Sequence, residues 1–135
     1  MQQDLKQKTK QLVQSIVQND FKNNLGLLSG TSGSLFLLCY YTAFTNDSQY
    51  IDIAEQRISD TVDIINDDPD FSNLSYSSGI TGFLWTLDNL REHHFIDIDL
   101  SDFKESIHPI LHNYMNQKMD ADDFDFLHGA LGVAG

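Results

Sequence analysis

Four things are scarce in this sequence, and each scarcity closes off a class of answer. There is one cysteine, Cys39, in 135 residues, so no internal disulfide can form and the chain suits a reducing compartment. Eight Lys and Arg stand against twenty Asp and Glu, a net charge of −12. Polyanions are held by clustered cations; the densest group here is Lys6, Lys8 and Lys10, and nucleic acid is excluded as a partner. The longest apolar stretch, Leu35 to Tyr41, falls far short of the ~18 residues of a membrane span, and the opening M-Q-Q-D-L-K-Q has no apolar signal core. The expectation is a cytoplasmic chain with no membrane span. Polar and apolar residues nowhere alternate for long, which argues against a sheet.

What is present is a repeat. Gly30-x-x-Gly33, Gly79-x-x-Gly82 and Gly129-x-x-Gly132 hold six of the eight glycines, and their first glycines stand 49 and 50 residues apart. A constant period of this size is left by stacked helical units. The segments between share it. Ile51, Ala54, Ile58, Val62 and Ile65 recur at helical spacing, and Leu100, Phe103, Ile107, Leu111 and Tyr114 follow 49 residues later. Leu5, Leu12, Val13, Ile16 and Val17 make a first helix of the same one-sided kind, ending near Asn19 or Asp20. Each is followed by a turn: Asn23 to Gly26 after the first, Asn66 to Asp70 after the second.

After each glycine pair comes a mostly apolar run, Ser34 to Phe44 and then Phe83 to about His93. The unit is therefore a helix pair, one amphipathic helix and one buried helix opened by G-x-x-G. An all-α fold with two concentric layers follows, an incomplete α/α toroid or barrel of about two and a half hairpins, with residues 1–135 forming part of one domain. An open solenoid is the competing architecture, in which both helices of a unit keep an exposed face. Pro109 falls inside the third amphipathic helix and is expected to kink it.

Where the units agree, the shared residue is read as architecture; where one departs, it becomes a candidate for chemistry. One place before the first glycine stand Ser29, Ser78 and His128, and four places before it Gly26, Ser75 and Asp125. The third unit puts an ionisable pair where the others carry small residues. If the inner helices begin on a common rim with free amides, Asp125 is held as a carboxylate and His128 can carry protons near neutral pH; a helix cap and a turn histidine are the plainer alternatives. His108 and His112 sit at i and i+4 but make only two metal ligands. Cys39 reads as a small core residue and His93-His94 as a helix end. Tyr40, Tyr41, Phe83 and Trp85 read as core, with ligand stacking as the alternative.

The repeated G-x-x-G at helix starts, S-S-G-I-T-G and D-F-D-F-L-H-G-A-L-G resemble the lanthionine synthetase C-like family, the lantibiotic cyclases, over the whole chain. The resemblance implies zinc enzymes that add a cysteine thiol of a precursor peptide across a dehydroalanine or dehydrobutyrine. It also implies an α/α toroid of roughly seven hairpins and a peptide partner. The family's zinc ligands, a cysteine in one late hairpin and a Cys-His pair in another, have no counterpart here, so no metal ligand is assigned. Asp125 matches a family aspartate beside the metal site; His128-Gly129 looks like the family's His-Gly, which belongs to a later hairpin. The expectation is the N-terminal portion of such a toroid, inactive alone, and either self-associating through exposed apolar inner helices or partly disordered toward its C-terminus. An α/α-barrel enzyme acting on sugars would need two carboxylates at inner-helix starts, and only Asp125 qualifies. A helical peptide-binding module complete in itself would carry a polar terminal cap, where this chain reads Gly132-Val133-Ala134-Gly135.

Overall fold

The computed structural model describes residues 1–21, 24–68 and 71–134. Asn23 of the first turn, Pro69 and Asp70 beyond the second amphipathic helix, and Gly135 lie outside them. Among the described residues there are six helices and no strand: α1 (Gln2–Gln18), α2 (Thr31–Thr45), α3 (Gln49–Asp67), α4 (Ile80–Glu92), α5 (Ser101–Asp120) and α6 (Ala130–Ala134). The helix pairs expected from the 49-residue period are all there, and α5 runs through Pro109 as one element. Pro109 is exposed, so the carbonyl that loses its donor there can turn to water.

The amphipathic helices bury one stripe each. In α3 it is Tyr50, Ala54, Ile58, Thr61 and Ile65, spaced by three or four residues as a single helical face requires. Helix α1 is the least anchored: only Val13 is fully buried, while Leu5 and Leu12 are 67% and 65% exposed. Helix α2 packs against α1, α3 and α4, and α5 against α6. The core lies between them, with Leu35, Leu38, Phe83, Leu87 and Leu90 completely enclosed. At ~1.5–3 kcal/mol for each large side chain removed from water, these five contribute on the order of 10 kcal/mol before conformational entropy is counted.

The apolar helices are not buried all round. On α2 the face of Tyr40, Ala43 and Phe44 is open, with Phe36 half-buried at its edge, and on α4 the face of Trp85 and Asp88. The Phe36 and Trp85 rings meet at 6.0 Å, so the two open faces adjoin. Phe83 is core and Tyr41 half-buried, but Tyr40 is 51% exposed and Trp85 44%; the expectation that both are core residues is corrected. Tyr40 stands edge-on to Phe95 (4.9 Å) instead of in the core.

Three helix ends are closed by a residue in the left-handed region, none of them glycine. Among the described residues the left-handed backbone positions are Asn46, His94 and Asp122, and no glycine has positive φ. His94 follows α4 with its amide on the Arg91 carbonyl (3.0 Å) and that of Phe95 on Leu90 (2.9 Å). Asp122 and Asp123 repeat the arrangement on Met119 and Lys118 after α5. These are paired reverse bonds that close a helix C-terminus. The glycines serve a different purpose, set by space.

Candidate functional site

Three turns of one design lead into α2, α4 and α6. In each, the first glycine's amide donates to the carbonyl four places back: Gly30 to Gly26 (3.0 Å), Gly79 to Ser75 (3.1 Å), Gly129 to Asp125 (2.9 Å). The next amide donates seven places back: Thr31 to Asn24 (2.9 Å), Ile80 to Asn73 (3.0 Å), Ala130 to Asp123 (3.0 Å). In the first unit Ser32 and Gly33 likewise donate to Leu25 and Gly26. The helix-start amides of α2 are thus taken by the turn before it. The expected rim of free amides is not present there, because the turn folds back and caps its own helix.

The glycines make this possible by what they leave out. A Cβ on Gly33, Gly82 or Gly132 would overlap the backbone carbonyl of Leu27, Tyr76 or Phe126, three places before the first glycine of each motif. A backbone carbonyl inside such a turn cannot swing aside. The constraint is therefore steric rather than dihedral: Gly30 and Gly79 sit at φ −132 and −117, in extended backbone.

The repeat register holds a further position that the sequence reading passed over, six places before each glycine. Asn24 donates from Nδ2 to the Ser29 carbonyl (3.2 Å), and its Oδ1 accepts from the Gly26 amide (3.0 Å). Asn73 donates to the Ser78 carbonyl (3.1 Å) and accepts from Ser75 Oγ (3.1 Å). The third unit has Asp123, which can accept but not donate. Its Oδ1 takes the Asp125 amide (3.3 Å) and its Oδ2 takes Lys118 Nζ (3.0 Å). The Lys118 hydrogen bond, with the Asp125 amide, holds Asp123 below the usual carboxylate range, and the same contact raises Lys118. The carbonyl left without its asparagine, that of His128, is met by the Tyr114 hydroxyl from α5 (2.8 Å).

The structure brings the two candidates of the third turn together. Asp125 Oδ2 accepts from the His128 amide (2.8 Å) and lies 3.0 Å from His128 Nδ1. Both side chains are more than half exposed, His128 at 66% and Asp125 at 52%. The amide contact is the local cap foreseen as the plainer reading of Asp125; the ring contact goes beyond it. With Nδ1 turned to a carboxylate, the ring's Nε2 is the atom left for proton exchange with solvent or a ligand.

A row of rings leads to this turn: Phe36 to Trp85 at 6.0 Å, Trp85 to Tyr76 at 5.8 Å, Tyr76 to Phe126 at 4.9 Å. Tyr76, Phe36 and Phe126 were not picked out in the sequence. The signal was there in the repeat register, since Phe36 and Trp85 both stand six places after the first glycine, and Tyr76 and Phe126 both three places before it.

The other candidates stay apart from the third turn. Cys39 is fully enclosed, and burial, with Glu55 adding to it, pushes its thiol up to about 12. His108 and His112 are exposed, and His112 Nδ1 meets Asn116 Nδ2 at 3.3 Å. His93 Nδ1 meets the Asn89 carbonyl at 2.8 Å, as a helix-end histidine does. Among the described residues no three His, Cys, Asp or Glu side chains gather to hold a metal ion. A thiolate ligand must also be deprotonated, which the Cys39 environment opposes, so these residues do not fit a zinc centre. An open groove of about 480 Å³ runs between α3 and α5, over Ile58, Val62 and Phe103, and neither Asp125 nor His128 lines it. No helix is long and apolar enough to cross a membrane among the described residues.

Compared with known proteins, residues 3–135 match the family model described as lanthionine synthetase C-like protein. No curated protein and no solved structure matches the chain.

Proposed function

The chain belongs to the lanthionine synthetase C-like family, and from that premise we propose that it serves thioether ring formation in a peptide, as one arc of an α/α toroid. In that reaction the sulfur of a cysteine bonds to the β carbon of a dehydroalanine or dehydrobutyrine. The π pair moves onto the α carbon, the thiol gives up its proton, and the α carbon takes one; nothing is oxidised or reduced. The observation that carries the proposal is the third turn. On a backbone frame shared with two other turns, it alone presents a carboxylate bonded to an imidazole, Asp125 to His128. Asp125 accepts the Nδ1 proton and so selects the tautomer whose Nε2 carries a lone pair. His128 then takes the thiol proton and returns one to the α carbon, general acid–base work that contributes typically ~10²–10⁴-fold. The row from Phe36 to Phe126 gives the peptide an apolar path to that pair.

No step is routed through zinc, because the residues here do not fit it. On this reading the family's thiol-activating metal is held by protein outside these 135 residues, and this chain alone closes no ring.

Trp85 is the sole tryptophan and stands in the ring row, so its fluorescence reports peptide binding. Titration with a peptide carrying dehydroalanine and cysteine is expected to shift it, and Tyr76→Ala and Phe126→Ala to weaken that binding. His128→Asn should leave it intact. Free thiols counted by alkylation should not fall with this chain alone. In a ring-closing assembly that contains the chain, His128→Asn should slow closure on the order of 10²-fold or more. A Trp85 signal blind to such peptides, or full ring closure by the His128→Asn assembly, would overturn the proposal.

A further inference from the structure

The spaces between successive amphipathic helices follow the repeat register too, and they are filled differently. Between α1 and α3 a hollow of about 90 Å³ is lined by Thr31, Arg57 and Thr61 among others. Between α3 and α5 the matching hollow is lined by Ile80, Ser106 and Ile110, each one 49-residue period further on. A phenylalanine lines both, Phe21 in the first and Phe71 in the second. In the first, Arg57 reaches across from α3: its Nη2 donates to the carbonyls of Ile16 and Val17 in the last turn of α1, and its guanidinium lies over the Phe21 ring. In the second, the register puts Ser106 in the place of the arginine. Its hydroxyl donates to the Phe103 carbonyl of its own helix (2.8 Å) and does not cross, which leaves a hollow of about 220 Å³.

The surroundings of that hollow favour a cation. The last carbonyls of a helix carry the negative end of its dipole, and α3 has no basic residue in its last turn. Ile65 and Asn66, which stand one period after Ile16 and Val17, line the hollow. Through Asn66 and Ser106, which line both, it continues into the groove of about 480 Å³ between the same two helices. Asp63, Asp99 and Asp102 stand along that groove, and no Lys, Arg or His lines either part. The Ser101 hydroxyl and amide, with Arg91 adding to them, hold Asp99 below the usual carboxylate range. Asp63 and Asp102 are exposed and make no hydrogen bond or ion pair among the described residues. The third turn is elsewhere: neither Asp125 nor His128 lines the groove or the hollow.

We propose that the space between α3 and α5 binds a cationic peptide segment, one arginine of which enters the hollow beside Ser106 and takes toward the end of α3 the position that Arg57 takes toward the end of α1. The apolar and basic side chains next to that arginine lie along the groove, over Ile58, Val62 and Phe103 and against Asp63 and Asp102. The chain itself supplies the precedent for this occupant, because the matching space in the preceding unit is filled by a guanidinium. Arginine is preferred to lysine, since a planar fork serves several carbonyls at once where an ammonium is a point charge. The net charge of −12 draws such a segment in.

Fluorescence anisotropy of a fluorescein-labelled peptide of alternating leucine and arginine, with neither cysteine nor dehydroalanine, tests this in about 0.15 M salt, where distant charges are screened. Saturable binding is expected, weakened about three- to tenfold when lysine replaces arginine in the peptide and lost when uncharged citrulline does. Ser106→Arg fills the hollow from within and should weaken binding on the order of tenfold. Asp63→Asn with Asp102→Asn should weaken it about three- to tenfold. Asp4→Asn with Asp52→Asn, the same change of charge away from the groove, should leave it unchanged, as should Tyr76→Ala in the ring row. Circular dichroism checks that Ser106→Arg keeps its helices; if it does not, Ile110→Arg, at a half-exposed position of the same hollow, takes its place. Absence of saturable binding, equal binding of the citrulline peptide, an arginine variant of the hollow that binds as tightly as the parent chain, or equal effects of the two charge-matched pairs overturns the proposal. So does a loss in Tyr76→Ala, which would put the peptide on the ring row.

Discussion

Removing Arg57 should release α1 before anything else in the protein moves. Its guanidinium reaches from α3 to the end of α1, where Nη2 donates to the carbonyls of Ile16 (2.5 Å), Val17 (2.9 Å) and Asn19 (3.2 Å), while Nη1 donates to Ser34 Oγ (2.9 Å) on α2. The guanidinium also lies over the Phe21 ring at 5.4 Å. The last carbonyls of a helix have no partner within it, so one side chain closes α1 and pins it to two other helices. Burial pulls the guanidinium pKa down and Asp20 pulls it back up, but it stays charged at every ordinary pH, so this clamp carries no pH dependence. A hydrogen bond from a charged donor is worth ~1.5–3 kcal/mol where buried, and the stack over Phe21 adds ~0.5–1 kcal/mol. The site is only half-buried and Asn19 is exposed, so freed carbonyls regain water and the net loss in Arg57→Met should be about 2–4 kcal/mol. Since α1 otherwise fully buries only Val13, that loss is enough to detach it. Native-state hydrogen exchange should show α1 amides exchanging faster by a factor of roughly 30 or more, since 1.4 kcal/mol is tenfold, while the core of α4 keeps its protection. Arg57→Lys, with one ammonium for four acceptors, should recover less than half. Unchanged α1 exchange in Arg57→Met would refute the reasoning.

Tyr114→Phe strips the His128 carbonyl of its donor and should cost about 0.5–1 kcal/mol in urea denaturation, and Asp123→Asn should rescue it by restoring the amide donor that Asn24 and Asn73 supply in the other turns; additive losses in the double variant would refute the equivalence. The Asp123 pKa is depressed in the folded chain, so the stability it contributes is present above the ordinary value of 3.8 and is lost as pH falls through the folded value; Asp123→Asn should flatten that acid limb. Gly82→Ala puts a methyl into the Tyr76 carbonyl, and overpacking of about 1–3 kcal/mol should outweigh the ~1 kcal/mol of helix propensity gained, seen as a lower melting temperature. Cys39, with its thiol pushed up to about 12, should resist thiol reagents at neutral pH until the chain unfolds, and its labelling rate should follow the unfolding equilibrium.

Most of the helical architecture was legible in the residue pattern because the signal is redundant. The five apolar positions from Ile51 to Ile65 are repeated 49 residues later, and local periodicity settles a helix without knowing its neighbours. The pairing of Asp125 with His128 could be suspected for a similar reason: the repeat supplies its own control, and departures from Ser29 and Ser78 stand out against it. The free amides expected at the start of α2 are not there, because capping by the preceding turn depends on a path the chain takes in space. The exposure of Tyr40 and Trp85 was missed because an apolar helix looks the same whether it is covered on one side or two.

From the sequence alone come the period, the helix pairs, the place of the glycines, the acidic charge and the absence of the family's zinc ligands from this chain, because each is a property of residue identity and spacing. Only the tertiary structure decided what those glycines are for: Gly33, Gly82 and Gly132 make room for a carbonyl that approaches from three places before the motif begins. It alone showed Tyr114 taking over the donor that Asp123 cannot supply, Arg57 closing a helix some forty residues away, and a row of rings running to Phe126 in the third turn. Contacts between residues distant in the chain depend on how helices pack. Packing is settled by the mutual fit of many surfaces, which no single stretch of residues records.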